Sequence, residues 1–307
     1  MRERHRLQLS LLVLSIASSG CIPDVEPNVF VLPRCEQVEP RCGPQGKESC
    51  CAESEILGGM FNRINDPQYP AKLDDFHLDR FEVTVGRFRQ FVAGYPQNKP
   101  QKDAGAHPKI GASGWNPEWD VELPKDRAEL EDTLGCDPNF RTWTEAPGAK
   151  EESPINCVTW YLAFAFCAWD EGRLPTESEW NYAAAQGNTQ TPYPWGFDQP
   201  DESRALFGCD STTTECPIPR VGSKPAGDGK WKHADLSGSL AEWVLDFHGD
   251  MPVPCDNCAN LANAALGREV RGGDFAHPAE QIITTFRGGF VPEDHQTFIG
   301  FRCAHDD

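Results

Sequence analysis

Cysteine is the residue type that most constrains this chain. The 307 residues include 13 cysteines. They lie at positions 21, 35, 42, 50, 51, 136, 157, 167, 209, 216, 255, 258 and 303. So many thiols are typical of a protein that folds in an oxidising compartment, where disulfides form and persist. If one cysteine is consumed by another modification, the even remainder can all pair. The sequence therefore predicts an exported fold that is cross-linked by disulfides.

The first twenty residues have the layout of an export signal. Arg2, Arg4 and Arg6 precede a short apolar run at residues 9–17. That run is too short to span a bilayer, which takes about 20 residues. SSGC at residues 18–21 resembles a bacterial lipobox, although its first position is usually leucine, so we predict a lipoprotein signal peptide at residues 1–20 and lipidation of Cys21. An ordinary cleaved signal followed by an incidental cysteine is the alternative.

The charge balance excludes two classes of partner. The formal net charge is −19, whereas nucleic-acid binding depends on Lys and Arg neutralising phosphates. The same charge disfavours adsorption on anionic lipid headgroups. We therefore predict no nucleic-acid partner and contact with the membrane only through the lipid anchor. The signal and the cysteines predict a place in the cell envelope, at the outer membrane or facing the periplasm.

Residues 21–55 differ in pattern from the rest of the chain. They are rich in proline and cysteine and show no helical or strand period, which predicts a tether. Cysteines 35, 42, 50 and 51 are close enough to pair among themselves. Cys50 and Cys51 are adjacent, so each is expected to have a different partner.

Residues 56–307 have the patterns of a folded domain. Alternation over residues 76–85 predicts a half-buried strand, and apolar spacing predicts a buried helix over residues 154–172. Thr176 is a predicted helix N-cap, with Glu179 at the capping-box position. The polar residues 97–150 predict a long surface insertion. After residue 188 the pattern indicates short strands and loops.

A series of motifs in this region resembles one family. In chain order they are FHLDRFEVTVGRFRQFV, PINCVTWYLAFAFCAW, GRLPTESEW, YPWG, RVGS, DLSGSLAEW, RGGDF and GFRCA. Each is similar to a hallmark of the formylglycine-generating enzyme, or sulfatase-modifying factor, family. The resemblance implies an α+β single domain that is related to C-type lectins and has little regular secondary structure.

Most of the motif residues are predicted to build the scaffold. Trp169, Trp180, Trp195 and Trp243 are large side chains that can bury much area in a fold short of strands. Arg173 is expected to pair with Glu177 or Glu179. The run of Arg271 and two glycines predicts a tight backbone passage where side chains do not fit.

The family's catalytic chemistry depends on residues that this chain lacks. Its oxidases carry two cysteines shortly after the RGGS motif, and these cysteines work with copper(I) and oxygen on a substrate cysteine. By direct offset the two positions here are His277 and Ile282, and the serine of the motif is Asp274. Soft thiolates select copper(I), so copper is not expected. His277 with Asp274 is a candidate base or metal-ligand pair; the alternative is a surface histidine beside a loop aspartate.

Iron-dependent sulfoxide synthases that carry this fold form another branch of the family. Their histidine ligands come largely from a separate helical domain. Residues 22–55 are too few for such a domain and contain no histidine. We therefore expect this chain to lie outside that branch.

The resemblance also implies a calcium site and a disulfide. In the DLSGSLAEW segment, Asp235 and Glu242 would supply carboxylate oxygens, and Gly238 and Leu240 would supply carbonyls, which are ligands that calcium accepts. The alternative is that Glu242 pairs with an arginine. Family analogy pairs Cys167 with Cys303.

Proximity in the sequence suggests the other disulfides. It favours the pairs Cys209–Cys216 and Cys136–Cys157. Cys255 and Cys258 form a C-x-x-C, which can be a redox motif or half a zinc site, but no second pair accompanies it. A short structural disulfide is the favoured interpretation.

These observations lead to two functional hypotheses. The first is a lipoprotein without oxidase activity that binds an unknown protein, peptide or glycan in the envelope, or serves there as a scaffold. The alternative is an enzyme, either an oxidase of the formylglycine type or one that uses a different centre at Asp274 and His277.

Overall fold

The structure is a computed structural model that describes residues 29–31, 41–209, 216–262 and 264–306. The predicted signal peptide, the predicted lipidation of Cys21, and Cys35 lie outside the described residues. The regular elements are short and are joined by long loops. The fold is of the α+β class, as predicted.

Eleven strands form three small sheets in the described part of the chain. The first sheet has the order β1 (Val29–Val31), β2 (Ala52–Ile56), β5 (Phe76–Asp79), β11 (Ala304–His305). The second has the order β10 (Ile299–Gly300), β6 (Ala241–Phe247), β8 (Arg268–Arg271), β9 (Gly288–Phe290). The third has the order β3 (Gly59–Asn62), β4 (Pro70–Leu73), β7 (Cys255–Asp256). Since β11 pairs antiparallel with β5, residues near both ends of the domain share one sheet.

Four α-helices occur in the described ranges. They are α1 (Val85–Ala93), α2 (Arg127–Thr133), α3 (Trp160–Trp169) and α4 (Glu177–Ala184). The capping box at Thr176 and Glu179 is present, as predicted. Even α3, the longest with ten residues, is too short to cross a bilayer, and the same holds for every other helix in the described ranges.

The predicted helix over residues 154–172 is shorter than expected. Residues 154–158 are not helical, and α3 begins after Thr159, whose side chain accepts a hydrogen bond from the Leu162 N–H. Cys157 has a left-handed φ of 61°, which a right-handed helix does not contain. These local restraints override the apolar spacing.

Two further predictions about the domain were wrong in part. The strand predicted over residues 76–85 ends at Asp79. Side chains on both of its faces are buried, Leu78 on one face and Asp79, in an ion pair with Arg87, on the other. The predicted surface insertion at 97–150 places Trp115, Leu130 and Trp143 in the core. The core residues of this region, which also include Leu123 and Leu134, are separated by polar stretches and give no continuous apolar period.

The main core surrounds α3, which is buried nearly all round. The Phe166 ring stacks on Phe88 at 5.4 Å and meets Phe301 edge-on at 5.4 Å. Such aromatic pairs contribute about 0.5–1.5 kcal/mol beyond their area. Trp180 and Trp243 are fully buried, and each indole N–H has an acceptor, so both have the predicted scaffold role.

The last residues of the predicted tether join the first sheet. β2 covers residues 52–56 and pairs with β5. Just before it, Cys42 is bonded to Cys50. Cys51 is also disulfide-bonded, so the two adjacent cysteines have different partners, as predicted.

Candidate functional site

The loop after β8 carries the candidate dyad. Gly273 has a φ of 65°, and a side chain there would place its Cβ 2.3 Å from the Gln281 carbonyl oxygen. Gly272 also has a positive φ, of 91°. The predicted tight passage is therefore present, and it turns the chain so that Asp274 follows directly at the end of the strand.

Asp274 and His277 are in direct contact. Nδ1 of His277 lies 2.6 Å from Oδ2 of Asp274, while Oδ1 accepts hydrogen bonds from the N–H groups of Ala276 and His277. The aspartate side chain is 5% exposed and the histidine 39%. Burial raises the pKa of Asp274, and the contact with His277 offsets part of that rise.

The contact with Asp274 orients the imidazole of His277, which a positioned base requires. With the Nδ1 proton assigned to the bond with Asp274, Nε2 of a neutral His277 is free to accept a proton. The Phe298 ring lies 5.7 Å from the imidazole and edge-on to it. The arrangement can orient an acceptor nitrogen toward solvent, which is the minimum that general-base chemistry needs.

The two positions that correspond to the oxidase cysteines have separate surroundings. His277 is half exposed in the dyad, whereas Ile282 is fully buried in an apolar cluster with Tyr193 and Ala205. The Ile282 carbonyl accepts a hydrogen bond from the Ser237 hydroxyl at 2.7 Å. The side chain of Ile282, at the second of these positions, therefore does not face the surface on which His277 lies.

Every cysteine in the described ranges is disulfide-bonded. The predicted pairs Cys167–Cys303, Cys136–Cys157 and Cys209–Cys216 are all present. Cys255 is bonded to Cys258. These residues therefore offer no thiolate to a soft metal.

The predicted calcium ligands are engaged by other groups. Glu242 accepts hydrogen bonds from the Arg302 guanidinium at 2.7 and 2.8 Å, and from the Trp180 indole at 2.9 Å. Asp235 accepts from the N–H of Gly222 at 2.6 Å. The alternative, an arginine partner for Glu242, is thus what the structure shows.

The N–H groups of the same segment are bonded within the fold, whereas the predicted ligands there are the carbonyls of Gly238 and Leu240. The N–H of Leu240 donates to Glu82 at 3.1 Å, and the N–H of Gly238 donates to the Gly272 carbonyl at 3.0 Å. Across the described ranges, no three His, Cys, Asp or Glu residues form a metal-binding group. The residues as placed do not fit a calcium site built on Glu242, and calcium at Asp235, Gly238, Leu240 and Glu242 stays a prediction.

Sequence patterns missed two buried residues beside this segment. Glu82 and Arg302 are fully buried, and Arg302 also donates to the Ala234 carbonyl at 2.8 Å. Burial raises the pKa of Glu82 well above its usual range, and the nearby Asp235 and Glu242 raise it further. Alternation assigned Glu82 to a solvent face, and its neighbours are too far along the chain to give a local signal.

Another missed group joins the first sheet. Glu53 lies 3.0 Å from Nδ1 of His77 and 2.9 Å from Nδ1 of His305. Burial lowers the pKa of His305, but the contact with Glu53 and the nearby charges of Asp79 and Asp170 together leave the pKa above its ordinary value. Glu53, His77 and His305 come from β2, β5 and β11. Their contact could have been predicted only if the pairing register of these three strands were known.

Arg173 makes the ion pair that the sequence left open between two glutamates. It binds Glu179 through two bonds of 2.7 Å and also binds Asp306. Glu177 lies instead 3.3 Å from Arg271.

Glu179 and Asp306 also line a cavity of about 170 Å³, which we call the acidic cleft. The cleft is lined by Asp74, Asp75, His107, Pro108, Lys109, Glu179, Asn257 and Asp306. A shallower groove of about 500 Å³ shares Asp74 and Asp75 with it.

Comparisons with known proteins identify the family. The family model for the sulfatase-modifying factor enzyme 1-like domain matches residues 39–307. A hercynine oxygenase from Mycolicibacterium smegmatis is 28% identical over 258 residues, which are 78% of this chain and 55% of that protein. The chain thus spans about half the length of the hercynine oxygenases it matches.

Other relatives match over most of their length. The inactive C-alpha-formylglycine-generating enzyme 2 of Mus musculus is 28% identical over 78% of this chain and 79% of that protein. The formylglycine-generating enzyme of Streptomyces coelicolor is 26% identical over 78% of this chain and 81% of that protein. Among solved structures, PvdO from Pseudomonas aeruginosa has the same fold, with a TM-score of 0.61 and 20% identity over 92% of this chain and 99% of that one. The chain belongs to the sulfatase-modifying factor enzyme family.

Proposed function

We propose that this chain is a member of the family that lacks the cysteine-oxidase activity and that binds a protein, peptide or glycan ligand in the cell envelope. The observation that carries the proposal is the state of the cysteines. All eleven in the described ranges are disulfide-bonded, and the two positions that correspond to the oxidase cysteines are His277 and Ile282.

The chemistry of copper(I) explains why this matters. Copper(I) is selected by soft thiolate ligands, and only the thiolate form of cysteine is a nucleophile or a metal ligand. A disulfide sulfur has neither property. Imidazole at His277 is one nitrogen donor, and the buried alkyl side chain of Ile282 offers none.

The acidic cleft is the surface best suited to the proposed ligand. Three aspartates, Asp74, Asp75 and Asp306, line it beside Lys109 and the buried pair of Arg173 and Glu179. Carboxylates accept hydrogen bonds from hydroxyl and ammonium groups alike. A ligand rich in such groups, as glycans and basic peptides are, fits this lining.

Export and a lipid anchor belong to the same proposal. The density of disulfides supports an oxidising compartment, because thiols in the cytosol are kept reduced. The lipobox-like SSGC segment supports lipidation of Cys21. Together these features favour a lipid-anchored protein of the cell envelope.

A peptide-oxidation assay tests the proposal. The chain from residue 22 onward, produced with its disulfides intact, is incubated with copper(I), air and a peptide of the C-x-P-x-R type. We expect the mass of the peptide thiol to stay unchanged while the Streptomyces coelicolor enzyme converts the same peptide to the aldehyde. Aldehyde formed by this chain would overturn the proposal.

A second candidate function is chemistry at the dyad. It is favoured by the 2.6 Å contact of His277 with the buried Asp274. In the same assay, any other change in the peptide mass that His277→Ala abolishes would favour this enzyme over the binding protein.

A further inference from the structure

We propose that the Cys255–Cys258 disulfide is a reactive site that exchanges with the thiols of peptides or proteins. This inference is independent of the proposed ligand binding. It rests on the groups that contact each of the two sulfur atoms.

The disulfide lies at the edge of the third sheet. Cys255 belongs to β7 and pairs with Ala71 of β4, and Cys258 follows three residues later. The intervening Asn257 is fixed, since its N–H donates to the Lys72 carbonyl at 2.9 Å and its side chain accepts from the Asp74 N–H at 2.9 Å. Cys255 is 5% exposed, whereas Cys258 is partly exposed. An incoming thiol can therefore reach the sulfur of Cys258 first.

A guanidinium lies beside the sulfur of Cys258. Nη1 of Arg63 is 3.8 Å from this sulfur, and Nη2 donates to the Pro252 carbonyl at 2.5 Å. Arg63 is buried, so its position is set by the fold. A cation at this distance stabilises the thiolate that forms when the disulfide opens.

A hydroxyl lies beside the sulfur of Cys255. Oγ of Ser178 is 3.6 Å from this sulfur, and the hydroxyl is the donor because a disulfide sulfur carries no proton. Ser178 is in the first turn of α4, where the helix dipole is positive. Both features favour a thiolate at Cys255 as well.

The nearby acidic groups are held by other partners. Glu177 and Asp246 both face Arg63. Glu177 lies 3.3 Å from Arg271, and Asp246 accepts from the N–H groups of Glu177 and Asn260. On the outer side, Asp256 pairs with Lys72 at 3.4 Å.

Stabilising both thiolates makes a disulfide more oxidising, because it favours the reduced form. In the exchange, the thiolate of a substrate attacks the sulfur of Cys258 and Cys255 leaves as a thiolate. A second substrate thiolate then attacks the substrate sulfur of the mixed disulfide and releases Cys258. The substrate dithiol loses two electrons to become a disulfide, and the protein disulfide gains them to become a dithiol.

Two other disulfides of the chain serve as internal references. Cys167 and Cys303 are fully buried in the main core. Cys209–Cys216 closes a short loop, and Cys209 is partly exposed. Among the described residues it packs with the apolar side chains of Phe140, Leu206 and Phe275. Apolar surroundings raise the pKa of a thiol and so disfavour reduction to thiolates.

A redox titration of the folded, full mature chain tests the proposal. The chain is equilibrated in glutathione buffers of graded ratio, the thiols are trapped with N-ethylmaleimide, and peptides are analysed by mass. We expect Cys255–Cys258 to be half reduced at a glutathione ratio at least about tenfold less reducing than Cys209–Cys216 requires. Reduction of Cys255–Cys258 together with Cys209–Cys216, or after it, would overturn the proposal.

Two further readouts separate thiolate stabilisation from simple exposure. In the reduced chain, the pH profile of alkylation at Cys258 should give an apparent pKa below the ordinary value of about 8.5. Ser178→Ala should lower the fraction reduced at a fixed glutathione ratio by about 3- to 10-fold, while Ser237→Ala, which removes another buried hydroxyl, leaves it unchanged. A pKa of about 8.5 or above for the Cys258 thiol would contradict the proposed thiolate stabilisation. The same reduced fraction in Ser178→Ala and Ser237→Ala would also contradict it.

Discussion

Replacing both Cys167 and Cys303 with alanine is expected to lower the free energy of unfolding by about 4–5 kcal/mol. The two cysteines are 136 residues apart, so the bond restricts a very long loop in the unfolded chain. In the chain-entropy account, the stabilisation grows with the logarithm of loop length. The bond also ties α3 to the segment before β11, where both sulfurs are buried. Urea unfolding without reductant measures the loss.

The matched control for this pair is Cys209→Ala with Cys216→Ala. That bond spans only 7 residues, so its removal should cost about 2.5 kcal/mol in the same account. Equal losses from the two double variants would contradict a loop-length origin for the stability of the core bond.

Glu242→Gln is expected to cost about 3–5 kcal/mol, because it removes one partner of a buried ion pair and leaves the other charge uncompensated. Arg302 is fully buried and makes two bonds of 2.7 and 2.8 Å to this carboxylate. Glutamine keeps the shape of the side chain but not its charge, so packing is nearly unchanged. The midpoint and slope of urea unfolding give the cost.

The exposed pair of Arg127 and Glu131 supplies the control. It lies on the surface of α2, where an ion pair contributes about 0.3–0.5 kcal/mol. Glu131→Gln should therefore change the stability by less than about 0.5 kcal/mol. A similar loss of stability in both variants would show that the buried pair of Glu242 and Arg302 stabilises the fold no more than an exposed pair does.

The wild type and Glu242→Gln also test the calcium prediction. Because Arg302 holds Glu242, calcium can bind there only if this ion pair opens. A melting temperature of the EDTA-treated wild type that calcium leaves unchanged would refute the calcium prediction. A clear rise in the wild type that is absent in Glu242→Gln would show that Glu242 binds calcium and that the ion pair opens.

Much of this fold could be predicted from the sequence because its signals are local or belong to the family. The capping box at Thr176 and Glu179 is a four-residue pattern. The Cys255–Cys258 bond is predictable from the spacing of the two cysteines alone. The tight turn at Gly273 is predictable from the presence of glycine. Family resemblance supplied the long-range bond between Cys167 and Cys303.

The missed features join distant parts of the chain. Glu82 accepts a hydrogen bond from the Leu240 N–H, 158 residues further along the chain. Glu53 meets His305 only because β2 and β11 flank β5. An alternating pattern predicts a polar residue to face solvent and does not show that the other face is also covered. The contact of Asp274 with His277 was proposed from spacing, but its fit as a base depends on burial, which spacing does not reveal.

The account's central claim is that this chain keeps the family fold while its domain offers no cysteine thiolate. Counting free thiols tests it most directly: the folded chain is denatured without reductant, alkylated with iodoacetamide and mapped by mass. The account predicts no alkylated cysteine among residues 41–209, 216–262 and 264–306. Substantial alkylation of a cysteine outside the exchangeable Cys255–Cys258 pair, above all Cys303, would contradict it and reopen the copper chemistry of the family.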